Sequence, residues 1–168
     1  MIPLLEIKFK FNTDLLLQEL DNNIEQIIEH PTIPIEAKED FKDFKILKES
    51  DNVKLPILNE ECERFKDWYK LSGDLDIRPR YYVCETDGKF PMHKDMDTTA
   101  AVNHLMTTPV PIIINDKPYR YNTAVIDTQQ MHGVDNTGHN RRKLVKLSFF
   151  DITYEDLVRK ITIVDAGW

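Results

Sequence analysis

The sequence predicts a mainly β domain with flanking helices, its strands closed into a sandwich or barrel. Three observations carry this reading. From about residue 78 the chain breaks into short β-rich runs separated by turn residues, at 80–85, 99–106, 111–115, 119–121, 123–127, 131–134 and 142–150, a spacing that closed antiparallel sheets produce. Before that point apolar residues recur at helical spacing. The 168 residues are 41% apolar and 30% charged, enough for one domain with a real core. The expected organisation is a single domain over 1–168: an N-terminal strand and supporting helices to 77, a β-core over 78–152, and a C-terminal helix and tail over 153–168.

Leu5, Ile7, Phe9 and Phe11 alternate with charged residues, the period-two pattern of a half-buried strand. From Thr13 to His30 the apolar positions Leu16, Leu17, Leu20, Ile24, Ile27 and Ile28 follow helical spacing, and Pro31 closes the run. Residues 31–56 carry three prolines and many charges, with Phe41, Phe44, Ile46 and Leu47 as anchors, and resist assignment. Asn59 opens a second helix whose stripe is Cys62, Phe65, Trp68 and Tyr69, ended by Ser72-Gly73. Phe65 and Trp68 read as helix-to-sheet core. Thr153, three residues before Asp156, caps a final helix carrying Leu157, Val158 and Ile161.

Charge and cysteine usage exclude several classes. Lys and Arg total 22 against 29 Asp and Glu, a net charge of −7 with no long basic block, so a nucleic-acid partner is disfavoured. Cys62 and Cys84 are the only cysteines, and no N-glycosylation sequon occurs. A disulfide framework and a four-cysteine zinc module are therefore unavailable, and a reducing, cytoplasmic compartment is expected. The first apolar run ends at Glu6 and the later one at residues 110–114 contains Pro111, so neither a signal peptide nor a membrane span is expected. Leu4-Leu5 and Trp168 stand out as apolar residues suited to an interface.

Chemistry concentrates in His93-Lys94-Asp95 and in His132, 37 residues after Asp95. Residues two apart on a strand share a face, so His93 and Asp95 aim at one point inside a sandwich, and a later strand need add only His132. Two imidazoles and one carboxylate occupy three corners of an octahedron and leave three open, the donor set of non-haem Fe(II) oxygenases. Asp97 shares the parity and is a rival ligand. After His132 come the turn Asn136-Thr137-Gly138 and then Arg142, where a cation completes a carboxylate-binding end. Arg142, Lys146 and Ser148 share one parity of the last strand and Val145, Leu147 and Phe149 the other, which gives a polar inner and an apolar outer face. The Arg142 guanidinium suits a bidentate carboxylate clamp, with Lys146 as an added point charge.

Each of these residues has a plain structural reading as well. His93 and Asp95 fit an exposed polar pair in the 87–97 loop, His132 a hydrogen-bonded core histidine, and Arg142 one of the solvated cluster Arg141-Arg142-Lys143. Asn103, in an apolar strand, needs partners wherever it is buried. Tyr82, Tyr119 and Tyr121 are pocket liners or simple packing. His30 and His139 read as surface residues.

On His93-Lys94-Asp95, Ala100-Ala101-Val102-Asn103, residues 121–128, His132-Gly133-Val134-Asp135-Asn136 and Arg142, the chain resembles the iron(II)- and 2-oxoglutarate-dependent oxygenases. The likeness is greatest to the aspartyl/asparaginyl β-hydroxylase-like branch and the small phage-encoded oxygenases near it, and spans roughly residues 80 to 150. In that family an arginine ten residues beyond the distal histidine binds the cosubstrate's distal carboxylate, and Arg142 stands ten residues after His132. The resemblance implies a double-stranded β-helix, the jelly-roll or cupin-like fold. It implies Fe(II) on His93, Asp95 and His132, with 2-oxoglutarate and O2 as cosubstrates. Arg142 would hold the keto acid, with Asn103, Lys146, Ser148 and Tyr82 as further contacts and Asn103 or His104 near its proximal carboxylate. The reaction implied is hydroxylation of an unactivated C–H bond of an amino acid or peptidyl side chain, releasing succinate and CO2. One departure is that vertebrate members of the branch lack the metal carboxylate, whereas Asp95 is in place. Two other classes compete: a metal-binding cupin of different chemistry, and a non-catalytic β-sandwich that binds a protein partner.

Overall fold

A computed structural model describes residues 1–31 and 33–167, so Trp168 lies outside the described residues. Eleven strands and three helices follow one another as β1 (Leu4–Glu6), α1 (Thr13–Asn22), β2 (Ile28–Glu29), β3 (Phe44–Leu47), α2 (Pro56–Trp68), β4 (Ile77–Cys84), β5 (Lys89–His93), β6 (Ala100–Leu105), β7 (Ile112–Ile114), β8 (Lys117–Tyr119), β9 (Thr123–Ile126), β10 (His132–Asp135), β11 (Arg142–Phe149) and α3 (Tyr154–Asp165). Seven strands form one sheet in the order β1-β9-β6-β11-β4-β3-β2, and four form a second in the order β5-β10-β7-β8. Every pairing is antiparallel.

Strand parity divides the larger sheet into two faces. Tyr81, Val83, Val102, Val125, Val145, Leu147 and Phe149 point outward into a core shared with the helices. Tyr82, Leu105, Ala124, Ile126 and Leu144 point inward against Ile112, Ile114 and Val134 of the smaller sheet. This is the alternation expected of β11, and it leaves Arg142, Lys146 and Ser148 on the inner face, all buried.

The helices are joined to the sheet by one buried carboxylate. The N-terminus of α2 has no side-chain cap of its own. Glu19 of α1 supplies it, accepting from the Ile57 and Leu58 N–H groups at 2.7 and 2.9 Å and from the Tyr81 hydroxyl at 2.7 Å. A negative charge at that helix end complements its dipole. Thr153 caps α3 as expected, accepting from the Asp156 N–H.

Several elements differ from the sequence reading. The first strand ends at Glu6 instead of running to Phe11: after Ile7 donates to the Thr123 carbonyl, Phe9 and Phe11 leave the ladder and pack on Phe65 of α2. The helix expected over residues 13–30 stops at Asn22, because the Asn23 side chain donates to the Glu19 carbonyl and so competes for the helix end. A 3-10 turn follows, and Ile28–Glu29 pairs with β3. The second helix starts at Pro56, three residues before Asn59, since proline suits a first turn. Its Cys62, Phe65 and Tyr69 are buried, but Trp68 is 53% exposed and is not core. Leu4 is buried within the inner core and forms no free apolar surface. Among the described residues no helix is long and apolar enough to cross a membrane.

Candidate metal centre

The site is assembled where β5 ends and β10 begins. His93 and His132 face each other across these two strands in register, with ring centroids 4.3 Å apart. Gly133 lets the strands approach this closely, because a Cβ there would lie 2.6 Å from the Phe90 carbonyl oxygen. Asp95 follows two residues beyond His93 in a loop pinned to the β9–β10 connection. Its N–H donates to the Thr128 carbonyl at 3.0 Å, and Gln129 donates to the carbonyl oxygens of Asp95 and Thr98.

The donor atoms converge. Nε2 of His93 and Nε2 of His132 each lie 3.2 Å from Asp95 Oδ1, and the three ligand atoms fall within 4.8 Å of one another. Nδ1 of His93 sits 2.8 Å from the Pro91 carbonyl oxygen and Nδ1 of His132 sits 2.8 Å from that of Gln130. Carbonyl oxygens only accept, so the proton of each neutral ring is on Nδ1 and a lone pair on Nε2 faces the carboxylate. Two lone pairs and an anionic oxygen directed at one point repel each other until a cation lies between them. The donor set and its outer-shell carbonyls therefore fit a divalent metal with open positions.

Lys146 completes the arrangement. Its ammonium lies 3.0 Å from Asp95 Oδ2 and 4.9 Å from the centroid of the Tyr82 ring. Burial pushes the Asp95 carboxyl up, but the Lys146 ammonium beside it outweighs burial and holds the group well below the usual carboxylate range. Burial pulls Lys146 down, but Tyr82 and Asp95 outweigh it and keep the ammonium above its ordinary value.

Two cavities meet at this point. The inner one, about 30 Å³, is lined by His132, Thr128, Asn103, Lys146 and Arg142 between the sheets. At its far end the Tyr121 hydroxyl accepts from Arg142 at 3.1 Å and from Asn103 at 3.2 Å. Arg142 Nε and Asn103 Oδ1 are buried without a protein partner. Each such atom costs about 1–3 kcal/mol unless a guest satisfies it, and a carboxylate is the natural partner of the guanidinium. The space as it stands holds little more than a water, so a larger guest enters with movement of the lining side chains. The outer cavity, about 310 Å³, opens past His93, Asp95, Ser148 and Phe41. Tyr82, Phe44, Phe90 and Lys146 line both.

The structure thus brings His93, Asp95 and His132 together, with Asn103 and Arg142 in the inner cavity, Ser148 in the outer one and Tyr82 between them. Asp97 lines the exposed rim of the outer cavity and is not in the cluster of donor atoms. Arg141 turns away to Glu85 at 2.9 Å. Tyr121 holds the arginine and the amide in place in addition to packing. His30, expected at the surface, is half-buried in the outer wall, its ring stacked on Phe44. His139 is exposed and Tyr119 packs at the edge of the inner core.

His104 faces away from the inner cavity, because it has the opposite parity to Asn103. Its Nε2 and Nδ1 lie 2.8 and 2.7 Å from the hydroxyls of Thr13 and Thr123. Burial pulls its pKa from 6.5 down to about 4. The folded ring therefore stays neutral where the unfolded chain takes up a proton, and stability falls as pH falls from about 6.5 to about 4, by on the order of 3 kcal/mol in full. Urea midpoints measured across this window are expected to fall less steeply in His104→Gln than in the parent protein. Identical slopes would show that His104 does not carry the effect.

Fold and cavities together define the class of architecture: a mainly β double-stranded β-helix with flanking helices, the donor cluster lying between its two sheets. No family model and no curated protein matches the sequence. Solved structures do match the fold. A prolyl hydroxylase from Trichoplax adhaerens, described in complex with a hypoxia inducible factor peptide fragment, superposes with a TM-score of 0.61 at 9% identity, covering 95% of this chain and 85% of its own. A Pseudomonas putida prolyl-4-hydroxylase gives 0.60 at 8% identity, with 88% and 90% covered. The viral collagen prolyl hydroxylase of Paramecium Bursaria Chlorella virus-1, described as a 2OG complex, gives 0.56 at 6% identity, with 89% and 95% covered. At these identities the likeness establishes the fold. All three are prolyl hydroxylases, so they do not single out the aspartyl/asparaginyl branch that the motifs resemble.

Proposed function

We propose that the protein is an Fe(II)- and 2-oxoglutarate-dependent dioxygenase that hydroxylates an unactivated C–H bond of an amino acid or peptidyl side chain. The observation that carries this reading is the meeting of two imidazole lone pairs and one carboxylate oxygen between a blind cavity ending in a buried arginine and an open one facing solvent. Iron(II) bound there supplies the redox chemistry that couples decarboxylation of 2-oxoglutarate to succinate and CO2 with transfer of one dioxygen atom to the substrate.

The chain's own residues hold and orient. His93, Asp95 and His132 are the metal ligands, and the carbonyls of Pro91 and Gln130 fix both ring orientations. Lys146 holds Asp95 Oδ2, which leaves Oδ1 turned to the metal. Arg142, steadied by Tyr121, binds the distal carboxylate of the keto acid, and Asn103 offers a second polar contact in the same cavity. Tyr82 and Ser148 line the way to the outer cavity, where substrate sits.

Anaerobic titration of the apo-protein with Fe(II) and 2-oxoglutarate tests the proposal. A visible metal-to-ligand charge-transfer band is expected when the keto acid chelates the iron. Iron binding without the band would overturn the cosubstrate and favour a cupin of other chemistry. Absence of any metal binding would make the chain an interaction protein.

A further inference from the structure

The outer cavity is basic in an acidic protein. Its charged lining is Arg78, Arg80, Lys94 and Lys146 against Asp95 and Asp97, whereas the chain as a whole carries −7. Strand geometry explains how the cations come to be there. Arg78, Arg80 and Tyr82 share the inner parity of β4, and the register with β11 sets Arg80 opposite Lys146 and Arg78 opposite Ser148.

Two of these four cations already pair with a carboxylate. Lys146 pairs with Asp95. Arg78 pairs with Asp76 at 2.9 Å and lies over the Phe150 ring. Lys94 is exposed to solvent. Arg80 differs: it is half-buried, and no described carboxylate lies within ion-pair distance of it. Its NH1 reaches His30 Nε2 at 3.5 Å. Burial and the nearby Arg80 bring the His30 pKa down to about 4, so at neutral pH the ring offers a lone pair and no negative charge. A half-buried guanidinium beside a neutral imidazole, in a cavity with aromatic walls, offers donors suited to an anion.

We propose that the substrate is an organic carboxylate with an apolar stem, its carboxylate bound by Arg80 and its stem lying on Phe41, Phe44 and Phe90. Phe44 and Phe90 stack at 4.0 Å, and Phe41 meets His93 edge-on at 5.7 Å, so the aromatic wall leads from Arg80 to the metal ligands. The cavity, about 310 Å³, is at the small-molecule end of the usual range. The inference rests on the oxygenase reading, because it takes the inner cavity as the place of 2-oxoglutarate and assigns the outer one to a second anion.

The test uses the Zn(II)-loaded protein, with the inner cavity saturated by 2-oxoglutarate, titrated with 4-methylpentanoate or 4-methylpentanamide and followed by protein NMR shifts. The acid is expected to bind at least about tenfold more tightly than the isosteric amide. Arg80→Gln is expected to erase that preference without changing 2-oxoglutarate affinity, and Arg80→Lys to retain part of it. An N-acetylated tetrapeptide ending in leucine, titrated alongside, separates a free acid from a peptide terminus as the source of the carboxylate. Equal binding of acid and amide, or a preference that survives Arg80→Gln, would overturn the inference and leave the oxygenase reading intact. Failure of the parent protein to bind 2-oxoglutarate would overturn that reading and this inference with it.

Discussion

Replacing His132 by alanine is expected to abolish iron-dependent turnover of 2-oxoglutarate while leaving the fold in place. The ring offers one of the three converging donor atoms, and its orientation is fixed by the Gln130 carbonyl and by the cross-strand partner His93. Losing an outer-shell partner of a metal ligand commonly costs roughly 10–100-fold in affinity or activity. Loss of the ligand itself exceeds this, so succinate release is expected to fall to background and the charge-transfer band to vanish. The folding cost is smaller, about 1–3 kcal/mol for a buried polar side chain and its hydrogen bond, because removing the ring also removes a lone pair directed at a carboxylate. His93→Ala is expected to behave alike, and the double variant to be no worse than either single one, since the ligands act as a unit. Succinate release and the absorption spectrum are measured together with melting temperature. Turnover surviving in both single variants would move the metal elsewhere.

Much of this site is legible in the sequence. The parity of β11 set Arg142, Lys146 and Ser148 on one face, and His93, Asp95 and His132 stood in an order that a closed β-fold brings together. Interactions between distant segments were not legible. β5 resembles a loop because it contains Pro91 and is flanked by turn residues; it is one of the two edge strands of the smaller sheet, where a missing N–H is tolerated. β3 was hidden among charges because it is four residues long and depends on its pairing with β4. The role of Tyr121 follows from the meeting of Asn103 on β6 and Arg142 on β11 at one hydroxyl. The bond from Lys146 to Asp95 spans 51 residues, and no local pattern encodes it. His30 reads as a surface residue for the same reason: its approach to Arg80 requires β2 and β3 to fold against β4.

The second large effect is expected at Arg142, in binding more than in the chemical step. Arg142→Met keeps apolar bulk but removes the charge and the guanidinium N–H donors from the end of the inner cavity. A keto acid entering then buries its distal carboxylate without a counter-ion. Truncating one partner of a buried, hydrogen-bonded charge pair costs about 2–5 kcal/mol, or roughly 30-fold to several thousand-fold in affinity. That carboxylate is remote from the reacting carbons and is held equally in ground and transition states. The loss is therefore expected in KM for 2-oxoglutarate, with kcat much less affected. Arg142→Lys is expected to fall between, because a point charge keeps the attraction but loses the fork that matches a carboxylate and the bond to Tyr121. Steady-state kinetics over 2-oxoglutarate concentration measure the split. A KM unchanged in Arg142→Met would remove Arg142 from cosubstrate binding and leave its unpartnered Nε to be satisfied by buried water instead.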